Sequence, residues 1–162
     1  MELHPNVQAV QDALDSAGAT DGSGGSSQVR LLPDAVHTAP AAAAALGVDV
    51  AQIANSLIFD ADGDPLLVLT SGAHRVDTAK VAAWLGVTAL RRATPEFVRE
   101  HTGQTIGGVA PLGHPKPVRT LVDTHLERYP EIWAAGGVPR AVFPTTYPEL
   151  LRITAGTPVE VA

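Results

Sequence analysis

Two β-rich runs, Ser56–Phe59 and Pro65–Thr70, flank the segment Asp60-Ala61-Asp62-Gly63-Asp64. Asp-Gly between alternating or continuous apolar runs is a strong short-range signal for a β-hairpin, because glycine supplies the positive φ that a tight turn demands. The chain is therefore expected to build its fold around an antiparallel strand pair. Everything else must pack against that pair.

Helix signals surround it. Leu3, Val7, Val10 and Leu14 recur at helical spacing, with Pro5 near the start and Gly18 as a stop. Thr38 can cap a helix through Ala41–Ala45, ended by Gly47, and Asp77 can cap one through Lys80, Val81, Trp84 and Leu85, stopped by Gly86. Trp84 and Trp133 fall on apolar positions and are expected in the core. Thr94-Pro95-Glu96 opens a helix carrying Phe97 and Val98, and further helices are expected around Glu127–Ala135 and Tyr147–Leu151. Short strands are expected at Val29–Leu32, Arg119–Val122, Arg140–Phe143 and Val159–Val161. Thr20–Ser27 is a Gly/Ser-rich stretch that reads as a flexible loop, too polar to pack. Short strands, a hairpin and irregularly placed helices indicate α+β rather than a doubly wound sheet. No repeat or domain boundary interrupts positions 1–162, so one domain is expected.

Charge and composition exclude several classes of function. A net charge of -6 is wrong for a broad nucleic-acid-binding face, which relies on clustered Lys and Arg. The distribution is uneven, however: Arg30 is the only Lys or Arg in the first 64 positions. The later part is mildly basic, enough for a small phosphate contact but not for an extended duplex. With no cysteine there is no disulfide framework, thiolate metal site or cysteine nucleophile. No apolar run reaches membrane-spanning length and Met1–Asn6 lacks a leader pattern, so a cytoplasmic protein with no membrane contact is expected.

Gly107-Gly108-Val109-Ala110-Pro111-Leu112-Gly113, followed by His114 and Pro115, suits neither helix nor strand. Such a loop can hold bare N–H groups aimed at one point, stabilising a carbonyl oxygen or an anion; it can equally be a tight connection. Familiar signatures are missing around it. Gly-Lys-[Ser/Thr] never follows, so this is not a Walker loop. Asp60-x-Asp62-Gly63-Asp64 misplaces the glycine of a calcium loop, and the closing position is Ser71. The six histidines show no ligand pair at helical spacing, and Ser71-Gly72-Ala73-His74 is no nucleophile elbow. No metal and no cofactor are expected.

Several segments, in order and spacing, nevertheless make a pattern: Thr38-Ala39 with Leu46-Gly47, Gln52–Phe59, Leu66–Thr70, Arg75-Val76-Asp77 with Lys80, Gly107–Gly113, Ala134-Ala135-Gly136 and Glu149-Leu150-Leu151. Across nearly its whole length the chain resembles the YbaK family of bacterial aminoacyl-tRNA deacylases, which includes the editing domain of bacterial prolyl-tRNA synthetases. The resemblance implies a single α+β domain whose mixed, mostly antiparallel sheet curls toward a barrel with helices around it. It also implies a trans-acting hydrolase that cleaves the ester of a small, wrongly attached amino acid on tRNA. In that setting Gly107, Gly108 and Pro111 of a Gly-x-x-x-Pro loop would stabilise the carbonyl oxyanion. Thr38, Ser56, Ser71, Gly72, Lys80, Gly113 and His114 would line the substrate site, His114 also having the ring of a general base.

One position departs from the pattern. Where many members carry a lysine before the Ser/Thr/Asn-Leu pair, this chain has Asn55. Asparagine offers two N–H donors and an acceptor but no charge. Arg75, Lys80 and Lys116 are other sources of that charge. Expected partners are the aminoacylated acceptor end of tRNA and a synthetase or elongation factor that holds it. The alternative is a non-catalytic module that only binds an aminoacyl end or small ligand. A hydrolase of other activated esters is a third class.

Overall fold

The computed structural model describes residues 3–162. At its centre the hairpin forms as expected: β2 (Ile53–Ala61) pairs antiparallel with β3 (Asp64–Ser71) through eight residue pairs, from Ala54↔Ser71 to Ala61↔Asp64. Asp60 closes the turn by accepting the Gly63 N–H at 2.6 Å. The remaining strands are β1 (Arg30–Leu31), β4 (Leu90–Arg92), β5 (Arg119–Asp123), β6 (Ile132–Ala135), β7 (Ala141–Thr145) and β8 (Thr157–Val159). Among the described residues they make one mixed, open sheet in the order β1-β7-β6-β2-β3-β5-β8, with β4 also on β2. β3 pairs parallel with β5, and β5 with β8.

β3 shows why this segment is a central strand. Its continuous run Leu66-Leu67-Val68-Leu69 is buried on both faces, as an interior strand covered on two sides requires. Leu67 and Leu69 pack with Val10 and Leu14 of α1 (Pro5–Ala17) and Leu150 of α5 (Tyr147–Thr154). Leu66 and Val68 face the other way, against Val81 of α3 (Thr78–Leu85). A third apolar group joins α2 (Ala39–Leu46) to Ile53, Trp133 and Val142. The helix starts follow side-chain chemistry: Thr38, Asp77, Thr94 and Thr146 each accept a backbone N–H at the head of α2, α3, α4 (Pro95–Thr102) and α5.

β2 has an interrupted second edge. β6 pairs with it only at Ile53↔Trp133 and Ala54↔Ala134, whereas β4 pairs only from Phe59↔Arg92 to Ala61↔Leu90. β3 occupies the opposite edge throughout. Residues 55–57 therefore face a gap between two flanking strands.

Four expectations need correction. The helix expected over 127–135 is a short 3-10 turn, Thr124–Arg128, followed by β6. Pro130 disfavours helical backbone at Tyr129, and Ile132-Trp133-Ala134 is buried as a strand instead. Trp84 is 50% exposed because α3 buries Val81 and Ala82, and Trp84 falls off that stripe; Trp133 is buried as expected. Segment 20–27 is more structured than its polar composition suggests. Asp21 accepts N–H groups from Ser23 and Gly25, and buried Ser27 donates to the Pro144 carbonyl at 2.6 Å. The final strand lies at Thr157–Val159, two residues earlier than expected.

Candidate active site

The gap beside β2 opens into a cavity of about 510 Å³. Its walls come from Asn55, Ser56 and Leu57 of β2, the head of α2 around Thr38, the end of β3 at Gly72, His74 and Arg75, the loop at Ile106, Gly107 and Val109, and β6 at Trp133. Thr38 lies on this wall while its hydroxyl caps α2 through the Ala41 N–H at 3.2 Å. Local backbone chemistry and the cavity thus depend on the same residue.

Ser56 carries the clearest sign of an unmet need. Its Oγ is buried and has no hydrogen-bond partner among the described residues. Leaving such a group unpaired costs about 1–3 kcal/mol. Ser56 lines the cavity, with its Oγ sealed from solvent.

The glycine loop is shaped by close approach. Gly107 has φ +92°, and a Cβ there would lie 3.2 Å from His37 Nδ1. At Gly108 a Cβ would lie 2.7 Å from the Val138 backbone, so a side chain has no room. The Gly108 N–H donates to the Thr105 carbonyl at 3.0 Å, and the Ala110 N–H to Gln104 Oε1 at 2.7 Å. Those two donors are committed inside the protein. Gly107 and Val109, the alternate positions, line the cavity, and neither N–H has an acceptor among the described residues.

Of the expected site residues, the structure gathers Thr38, Asn55, Ser56, Gly72 and Gly107 at the cavity. Gly108, Pro111 and Gly113 shape the loop without lining it; Gly113 packs on the α1 backbone at Ala9 and Val10. Ser71 is wholly buried and donates to the Ala51 carbonyl at 2.9 Å. His114 lies outside the cavity, its Nε2 within 2.7 Å of the Ala110 carbonyl. Burial pushes its pKa below the ordinary imidazole value, and the hydrogen bond opposes that shift. Lys80 lies elsewhere, with Nζ 2.9 Å from the Ala162 carbonyl oxygen.

Other residues enter the site without having been singled out. Arg92, on β4, joins Arg75 as a cation at the cavity wall. Its position follows from a strand pairing too short to show in the sequence. Trp133 lines the cavity with the Arg30 guanidinium 4.8 Å from its ring centre on one face. His74 lies 2.8 Å through Nδ1 from Oδ2 of Asp123, a residue 49 positions later. Among the described residues, no three His, Asp or Glu side chains are grouped to hold a metal ion.

Known proteins share this fold. The model of the aminoacyl-tRNA editing domain matches residues 33–153, from the approach to α2 almost to the end of α5. The chain belongs to the aminoacyl-tRNA editing domain family. Its fold is similar to a solved structure proposed as a trans-editing enzyme for prolyl tRNA synthetase, with TM-score 0.89 and 43% identity over 99% of this chain and 98% of that one. YwhH of Bacillus subtilis, an uncharacterised protein, is 33% identical over 114 residues, covering 70% of this editing-domain chain and 72% of YwhH. Proline--tRNA ligase of Nitratidesulfovibrio vulgaris strain DP4 is 36% identical over 91 residues, which are 56% of this chain but 16% of the ligase. The editing-domain chain thus spans a small part of that ligase's length.

Proposed function

We propose that this protein is a trans-acting aminoacyl-tRNA deacylase, acting in the cytoplasm to release a small misattached amino acid from the acceptor end of tRNA. The observation that carries the reading is the cavity lined by Asn55, Ser56, Gly107 and Val109. Its volume falls in the range of small-molecule sites, suited to a terminal nucleoside bearing a small acyl group.

The reacting bond is an ester between the amino acid and the terminal ribose. Attack on its carbonyl carbon places negative charge on the oxygen, and preorganised N–H donors stabilise that charge. The Gly107 and Val109 N–H groups are the donors for it, while Gly108, Pro111 and Gly113 hold the loop in shape. Asn55 takes the place of the familial lysine by donating its amide N–H groups to the ester or to water. Arg75 and Arg92 supply the missing positive charge, and their natural target is the phosphate next to the terminal nucleoside. With an overall charge of -6, the chain grips little of the tRNA beyond that end. A synthetase or elongation factor holding the tRNA body would complement it.

Deacylation of a panel of correctly and wrongly paired aminoacyl-tRNAs tests the reading. Selective release of one small amino acid is expected, with a loss of at least about tenfold in Gly107→Ala, because the loop donors shift. Release from simple acyl esters without tRNA would redirect the reading to a general esterase. Asn55 also favours a second reading, a non-catalytic module that binds an aminoacyl end. No release by the folded protein, together with activity appearing in Asn55→Lys, would establish it.

A further inference from the structure

An ester hydrolase must also place the proton that leaves its attacking water. Ser56 and Asn55 cannot accept one at neutral pH, and His114 has its Nε2 against the Ala110 carbonyl outside the cavity. His74 differs from all of these. It lines the cavity, its side chain is 26% exposed, and its Nδ1 lies 2.8 Å from an Asp123 carboxylate that is only 1% exposed.

Asp123 is itself held from several directions. Oδ2 accepts the Ser71 N–H at 3.0 Å and faces the Thr70 hydroxyl at 3.4 Å; Oδ1 accepts the His125 N–H at 3.0 Å. A buried carboxylate fixed by backbone donors makes a rigid acceptor for an imidazole N–H. With the proton on Nδ1, the lone pair of the neutral ring resides on Nε2.

We propose that His74, oriented by Asp123, is the group that accepts the proton of the attacking water. The proposal rests on the deacylase reading above. Water oxygen bonds to the ester carbon as its proton passes to His74 Nε2, and the carbonyl π pair moves to oxygen. When the tetrahedral intermediate collapses, the bond to the ribose oxygen breaks and the imidazolium returns the proton to that oxygen. The products are free tRNA and the amino acid, whose new carboxyl group ionises. His74 is thus a catalytic residue and Asp123 a positioning residue.

The charged and titratable neighbours of His74 come from several elements. The His125 ring, on the 3-10 turn after β5, lies 4.2 Å away centre to centre. Arg75, Arg92 and His37 share the cavity wall, and Asp123 is the anionic neighbour. His125 itself is pushed below its ordinary pKa, first by burial and next by His74.

The test pairs single-turnover deacylation against pH with imidazole nitrogen NMR of the same full-length protein. Wild type is expected to lose rate on the acid side as His74 becomes protonated, and His74→Gln to lose about 100-fold or more and to abolish that acid limb. The His74 signal should report the Nδ1–H tautomer in the wild type and lose that preference in Asp123→Asn. Thermal unfolding identifies a variant that fails to fold, and His74→Gln leaves every bond of Asp123 to the backbone in place. An active wild type with an unchanged His74→Gln profile overturns this inference alone, as does an Nε2–H tautomer. A wild type inert on every aminoacyl-tRNA overturns the deacylase reading and this inference with it.

Discussion

At the scale of single residues, the site depends on small side chains in places where larger ones would collide. Gly108 is the sharpest instance, since its missing Cβ would press on the Val138 backbone at 2.7 Å. Gly108→Ala is expected to destabilise the protein by about 1–3 kcal/mol, the usual cost of overpacking a close contact, and denaturant unfolding measures it. Ser56→Ala should behave in the opposite sense. Removing a buried hydroxyl without a partner is expected to leave stability unchanged or raise it by up to about 1 kcal/mol, while weakening binding of an aminoacyl-adenosine analogue. Calorimetry of unfolding and of ligand binding separates the two effects. Thr38, Asn55, Ser56, Gly72 and Gly107 were legible in the sequence because they lie within recognisable motifs and fold onto one cavity. His74 was not, since its partner Asp123, on β5, is 49 positions away in the chain. Lys80 shows the converse: its motif pointed to the site, yet its Nζ lies 2.9 Å from the Ala162 carbonyl and it does not line the cavity.

At the scale of elements, capping and turn chemistry made α2, α3, α4 and the β2–β3 hairpin readable, because each is determined by residues adjacent in sequence. β4 and β6 escaped notice for the opposite reason. They are three and four residues long, and their partner is β2, far away in the chain. The α5 junction provides another case of long-range support. Glu149 pairs with Arg152 at 2.7 Å and accepts the Thr20 N–H and hydroxyl at 2.9 and 3.2 Å, tying α5 to the segment after α1. The Arg152 hydrogen bond, foremost, and those from Thr20 lower the Glu149 pKa from 4.5 to about 2. A carboxylate with a depressed folded pKa adds stability above its unfolded value and loses it as pH falls through the folded value. Glu149→Gln is therefore expected to flatten the acid-side loss of stability between about pH 4.5 and 2, as measured by unfolding midpoints across that range.

At the scale of the whole molecule, charge would limit how the proposed tRNA substrate is held. The overall charge of -6 opposes polyanion binding, and the cavity wall offers Arg75 and Arg92 as its guanidinium groups. If each meets one phosphate of the single-stranded acceptor end, log Kd for aminoacyl-tRNA should vary with log salt with a slope of only about 1.4. Arg75→Ala and Arg92→Ala should each reduce it by about 0.7, which filter binding across a salt series measures. A steep slope would point to a wider phosphate footprint on this chain.

The interrupted edge of β2 has its own consequence for how a ligand arrives. Both banks of the gap are anchored in the sheet, one by β6 with its four residue pairs to β7, the other by β4. An opening framed by strands exists before anything binds, so the ordering cost that a closing loop would impose is largely absent. Recognition should then be closer to docking into a mould than to folding around a guest. Amide exchange along residues 53–61 would remain nearly the same in the free and occupied protein, with added protection concentrated where the gap interrupts the ladder.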